Sequence, residues 1–373
     1  MILSRNDKLN VINIGLMMVS CVIAFILPFE TFLFVYAVLG PLHYLTEISW
    51  LHDRQYFTKG KYDYLVLILI AFLFLIIKLG NLYEWPLPMS SEFKDKIMFL
   101  GLAGSILMVF VKNGMMKIFG LFFILMMSNI IFKADIRDNL AFFLSVLLPT
   151  LIHVYVFTGF FLLYGALKNR SKSGLLSLTV FITCPFLLYF VFQNAVSLPI
   201  SKYGMESYQA NGDGFFRNNL IFLQKLFNVD FIQAKDASGS LLYYQDTLKP
   251  AIDTEKAMGI IFHSKSGILL MRFIAFAYTY HYLNWFSKTE VIKWHQVPKI
   301  RFVAVIIIWI ISISLYAYNY SIGMRWLYFL SLCHVLLEFP LNMISITGIG
   351  KELWMIFKNG FSNPINTSQK LSS

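Results

Sequence analysis

The sequence predicts an all-α fold, a polytopic integral membrane helix bundle of about ten transmembrane helices. Three observations carry this. The 373 residues are 58% hydrophobic and 17% aromatic, with 37 Phe, and only 14% are charged. Soluble domains carry about 25% charged residues and about 45–50% apolar ones. Mean hydropathy is +0.65. Finally, ten apolar runs are long enough, or nearly so, to cross ~30 Å of hydrocarbon, which takes about 20 residues. Together these exclude a soluble enzyme, a disordered chain and a disulfide scaffold.

In chain order the ten runs are 10–29, 31–51, 63–82, 97–112, 116–133, 140–167, 174–198, 266–287, 300–320 and 324–346. The fourth is the shortest. Met18-Val19-Ser20-Cys21 is a poor lipobox, and the first run continues to Phe29 without a small-residue cleavage site. It therefore reads as an uncleaved helix. Cys21, Cys184 and Cys333 lie in apolar runs and form no CxxC pair, which supports neither disulfides nor a zinc knuckle. The whole chain, 1–373, reads as a single membrane domain with one extramembrane loop at 200–265.

The net charge of +11 is read as the positive-inside rule and not as nucleic-acid binding. With the N-terminus inside, the short inner segments hold Arg5, Lys8, Arg54, Lys59, Lys61, Lys112, Lys117, Lys168, Arg170, Lys172, Lys288, Lys293, Lys299, Arg301, Lys351, Lys358 and Lys370. The short outer ones hold Lys78, Lys94, Lys96, Lys133, Arg137 and Arg325. This bias places both termini in the cytoplasm; for a bacterial chain the membrane is the plasma membrane. Long loops do not count in this rule, and Arg272 falls inside a run.

In the 200–265 loop, Phe216, Leu220, Leu223 and Phe227 recur at helical spacing, with Arg217, Asn218, Gln224 and Lys225 between them. That pattern suits a short interfacial helix. It is read either as a packed lid or as a gate for a lipophilic substrate.

Ionisable groups inside a bilayer are costly and face a cavity or a partner. Seven histidines are present. His52, His263 and His295 fall at or beyond run ends. His43, His153, His281 and His334 fall within runs 2, 6, 8 and 10, which cross in the same direction. At ~1.5 Å per residue all four lie roughly 15–22 Å below the outer surface, so they can meet in one layer. Glu47 follows His43, and Glu338 follows His334, by four residues, on one helix face. Each glutamate could orient a metal-bound imidazole, bind the metal itself or carry a proton. Neutral imidazole is a ligand for iron, zinc and copper. Tyr44, Tyr155, Thr158, Tyr280, Asn284 and Asn342 fall near the same layer. They could orient a substrate or dioxygen, or join helices by hydrogen bonds.

Two aromatic–basic segments, Trp50–Phe57 and Trp285–His295, read as interfacial anchors or, through His52, Asp53 and His295, as a second metal or head-group site. HxxxH, HxxHH, HExxH, a Walker A motif, CxxCH and Gly-x-Ser-x-Gly are absent.

Gly40-Pro41-Leu42-His43, with Glu47, resembles the GLPHGALD-type segment of the bacterial Brp/Blh carotenoid dioxygenases. That resemblance implies a polytopic dioxygenase with non-haem iron held by His43, His153, His281 and His334. The sequence thus leads to an expected membrane oxygenase acting on a lipophilic polyene or acyl chain. Glu47, Glu338, Tyr44 and Asn284 would be its catalytic or supporting groups, and an electron donor its partner. A b-type haem carrier, a proton-coupled transporter using Glu47 and Glu338, and a zinc lipid hydrolase are the alternatives.

Overall fold

A computed structural model describes residues 5–83, 85, 91–132, 137–209, 215–236, 238–243, 251–288 and 292–361. The described chain is helical: α1 (Arg5–Ile26), α2 (Pro28–His52), α3 (Tyr64–Leu82), α4 (Ser91–Phe110), α5 (Gly114–Ile131), α6 (Asp138–Lys168), α7 (Lys172–Val191), α8 (Lys202–Gln209), α9 (Phe215–Phe227), α10 (Thr254–His263), α11 (Lys265–Ser287), α12 (Lys299–Tyr318) and α13 (Tyr320–Asn359). The only extended pairing among the described residues is two isolated bridges, Gln233 with Ile252 and Lys235 with Leu241.

Seven of these helices are long and apolar enough to cross a membrane. They become eight if α10 and α11, which meet at a 64° bend, form one broken span. All ten predicted runs overlap helices, but α3 and α4 do not reach that standard as described. Lys133, counted above as an outer charge, and Lys370 lie outside the described residues. So do residues 289–291 of the segment after α11.

Local signals set the joints. Asn113, Ser171, Ser264 and Asn319 each accept a hydrogen bond from a backbone N–H of the first turn they cap, before α5, α7, α11 and α13. Gly267 sits where α11 turns against α10. A Cβ there would collide with the carbonyl oxygens of Ile260 and Ile261, so the bend needs glycine. After α2 the chain makes one left-handed turn, with Gln55, Tyr56 and Phe57 all at positive φ. The Tyr56 ring is buried there and stacks on Tyr64.

Two boundaries differ from expectation. The 174–198 run stops being helical at Val191. Arg272, fully buried on α11, takes the carbonyls of Phe192 (2.8 Å) and Ala195 (2.6 Å) and the Ser197 hydroxyl. It thereby ties the uncharged 192–197 stretch to α11. The last helix runs on to Asn359 instead of ending near 346. Its 40 residues span ~60 Å, about twice the hydrocarbon thickness. Arg170 holds the overhang through Glu352 (2.7 Å).

The joints gather at two ends. At one, Leu198 N–H donates to the Ile26 carbonyl (2.9 Å) and Ser201 N–H to Glu30 (2.6 Å). At the other, Asn10 donates to Ser173 (2.8 Å) and Arg301 to Asp53 (2.6 Å). This second end carries most of the short-loop Lys and Arg.

Helices α2, α6, α11 and α13 form the centre. Most of α2 and over half of the apolar stretch of α13 are buried, while the corresponding stretches of α5 and α12 are largely exposed. Their exposed faces are apolar: Phe119, Phe122, Phe123 and Ile130 on α5 are each more than 60% accessible. Contiguous apolar surface of this kind is rare on soluble monomers and suits lipid.

Candidate metal centre

Each central helix brings one histidine to the same depth. His43 on α2, His153 on α6, His281 on α11 and His334 on α13 are all buried, and their rings pack edge to face at centroid distances of 4.7–5.5 Å. Matched depth predicted this layer, and the structure closes it laterally. The backbone is specialised here. Pro41 lies two residues before His43 inside α2. The middle of α6, Phe143–Phe157, is π-helical, contains Pro149 and carries His153. π-helical turns concentrate at functional sites.

The nitrogens face one another in two pairs. His43 Nε2 is 3.0 Å from His281 Nε2, and His153 Nε2 is 3.1 Å from His334 Nε2. His43, His153 and His281 can offer nitrogens all within 4.8 Å of one another, and so can His43, Glu47 and His334 with a carboxylate oxygen.

The two glutamates behave differently. Glu47 Oε2 lies 3.1 Å from His43 Nε2, along its own helix as the spacing predicts. Glu338 does not serve its helix-mate His334. Its Oε2 crosses to His153 Nδ1 at 2.9 Å. Both contacts are close, yet neither has hydrogen-bond alignment, and these carboxylate oxygens otherwise lack partners. Both glutamates are 2% exposed, with no Lys or Arg paired to either among the described residues. Buried carboxylates need a proton, a cation or a metal ion.

Other groups fix the rings. Thr158 Oγ1 is 2.8 Å from His281 Nδ1. With His281 Nε2 turned to the cluster, Nδ1–H donates to that hydroxyl. Such a contact orients a ligating imidazole. Tyr44 stacks on His334 (4.1 Å, 22°) and shares a hydrogen bond with Tyr282 (2.9 Å). Tyr44 thus supports a ring. Asn284, one turn past His281, and Asn342, one turn past Glu338, are buried; Asn284 Oδ1 and both polar atoms of Asn342 lack partners. Tyr280 and Tyr155 point elsewhere: the Tyr280 hydroxyl donates to Asn13 (3.2 Å), and Tyr155 stacks on Phe181.

A cavity of about 270 Å³ opens on the His153–His334 side. Its far wall is α9, through Phe215, Asn218, Asn219 and Phe222. The 216–227 helix read from the sequence is therefore present, and it is packed on the bundle end with Asn219 and Leu223 on its buried face. The cavity mixes Phe32, Phe74 and Ile274 with Tyr36, Tyr278 and Ser331. Sequence reasoning missed Tyr282, Trp285 and Asn219. The first two flank His281 on α11, a spacing that pointed to them; Asn219 gave no signal beyond an amide on an apolar face.

The second site assembles no metal group among the described residues. His52 is exposed and contacts Asp53 (3.2 Å), and Arg301 takes the same carboxylate. His295 packs on Trp294 instead. Burial pushes the Asp53 carboxyl up, but hydrogen bonds from Arg301 and His52 outweigh it and hold it below the usual range.

The chain matches no family model, no curated protein and no solved structure.

Proposed function

We propose that this chain is an integral membrane oxidoreductase, a non-haem iron oxygenase acting on a lipophilic substrate. Its ten helical runs would cross the bilayer with both termini in the cytoplasm. The observation that carries the reading is the pair of buried glutamates, without a Lys or Arg partner, facing four converging histidines. An ion held by His43, His153, His281 and His334 would offset their charge.

His43, His153 and His281 converge closely enough for one ion, and His334 joins His43 and Glu47 in a second such group. Imidazole nitrogens 3.0 and 3.1 Å apart can share an ion, and imidazole suits iron as well as zinc and copper.

Iron bound here would supply redox chemistry toward dioxygen, with an external electron donor. The protein's own groups do the rest. Thr158 accepts the proton on His281 Nδ1, Tyr44 keeps the His334 ring in plane, and Glu338 places its carboxylate beside His153 Nδ1. Glu47 completes the charge balance beside His43. The cavity delivers substrate to the His153–His334 side, away from bulk water, and α9 closes its far end. The resemblance of the Pro41–Glu47 segment to the Brp/Blh dioxygenases supports the same reading.

The test is metal content of His43→Ala and His334→Ala, with His263→Ala as an exposed control. Both cluster variants should lose bound iron while remaining monodisperse, and the control should keep it. Retention of full stoichiometry in both cluster variants would refute the site. Zinc in place of iron would move the assignment to a hydrolase.

A further inference from the structure

The cavity wall opposite the histidines carries an unsatisfied acceptor. Asn219, on α9, is 3% exposed and lines the cavity. Its Oδ1 has no hydrogen-bond partner. Leaving such an acceptor buried and unpaired costs about 1–3 kcal/mol, so an amide in this position implies a donor that is present when the site is used. A purely apolar substrate has none.

Size narrows the ligand further. A dry apolar cavity of ~150 Å³ accommodates benzene, so one of about 270 Å³ takes about ten to twelve carbon atoms. That is one ring with a short tail, or a medium acyl segment. The walls match an amphiphile. Phe32, Phe74 and Ile274 offer apolar contact, while Tyr36, Tyr278 and Ser331 place hydroxyls along the same space.

We propose that the cavity binds an amphiphile of about ten carbons carrying an O–H or N–H donor, that Asn219 Oδ1 accepts that donor, and that the chain extends to the His153–His334 wall. Asn219 is then a specificity-determining residue. It sets which end of the substrate faces the histidines and rejects hydrocarbons without a donor. The assignment of the histidine wall as the reacting end rests on the oxygenase reading. The contact with Asn219 does not.

The test is photolabelling of the full chain in nanodiscs with a ten-carbon primary alcohol bearing a mid-chain diazirine. Labelled peptides should map to α9 and to the Ser145–Val154 stretch of α6. Unlabelled 1-decanol and decanamide should compete about five-fold better than 1-methoxydecane, which has the same chain and no donor. In Asn219→Leu, which removes the acceptor without opening space, the three competitors should become equal. In Asn219→Asp, which keeps an acceptor, the preference should survive. Equal competition in the wild-type protein would mean that water satisfies Asn219, and would overturn the proposal. Labels mapping away from α9 and α6 would overturn it too. Metal analysis of the same preparation separates the two readings. A donor preference in a chain that holds no metal as purified, or after incubation with Fe(II), would keep the ligand and remove the oxygenase.

Discussion

Thr158 offers the sharpest probe of the cluster, because its hydroxyl touches a histidine and nothing of the cavity. In Thr158→Val the side chain keeps its shape and loses the 2.8 Å contact with His281 Nδ1. Thr158 is 1% exposed, so no bulk water replaces the hydroxyl. Losing a contact that orients a ligating imidazole weakens metal affinity about 10–100-fold, which is about 1.4–2.7 kcal/mol. Stability of the metal-free protein should fall by about 1–3 kcal/mol, since His281 Nδ1 is left buried and unpaired. The assay is competition for Fe(II) between the protein and a chromophoric chelator. Thr158→Ser restores the hydroxyl and should stay within about three-fold of wild type. If Thr158→Val binds iron as tightly as wild type, His281 is not a ligand and the centre must be redrawn.

Three further substitutions test the frame that holds the site. Arg272→Met removes the donors for the Phe192 and Ala195 carbonyls and the Ser197 hydroxyl and should destabilise the bundle by about 1–3 kcal/mol in reversible unfolding; Arg272→Lys should recover only part of the loss. Gly267→Ala should cost about 3 kcal/mol or more, because the Cβ meets backbone and not a movable side chain, and thermal unfolding reads it. Asp53 tests the basic end. Its carboxyl is held below the usual range in the folded chain, so its contribution is present above the unfolded value, near pH ~4, and is lost as pH falls through the folded one. Asp53 is partly exposed, so the contribution should be at most about 1 kcal/mol. The stability difference between wild type and Asp53→Asn should therefore begin to shrink as pH falls below about 4 and vanish only below the folded value, and a difference that grows there would contradict the pairing with Arg301.

The helical architecture was legible because hydrocarbon-length apolar runs are local signals. The layer of His43, His153, His281 and His334 was legible because helix rise converts sequence position into depth. The sequence could not show how those histidines pair, since lateral neighbours depend on how helices rotate and pack. Glu338 is the clearest case: spacing puts it beside His334, yet it reaches across the bundle to His153. The end of α7 was misread for a similar reason. The 192–197 stretch continues the run without a charge, but Arg272, 75 or more residues later in the chain, captures its carbonyls. The overhang of α13 was hidden because Gly348, Gly350 and Lys351 look like a loop until Arg170 and Glu352 are paired. Asn219 lay in a helix whose apolar stripe was visible. Its role depends on a cavity formed by distant segments.

The central claim is that His43, His153, His281 and His334 hold an iron ion inside the bundle, whose charge offsets that of Glu47 and Glu338. Elemental analysis with an absorption spectrum on detergent-purified protein tests it directly. The account predicts at least about one iron per chain and no Soret band. A chain that carries no metal, even after incubation with Fe(II) under reducing conditions, would contradict it and leave the cluster as a hydrogen-bonded joint between α2, α6, α11 and α13.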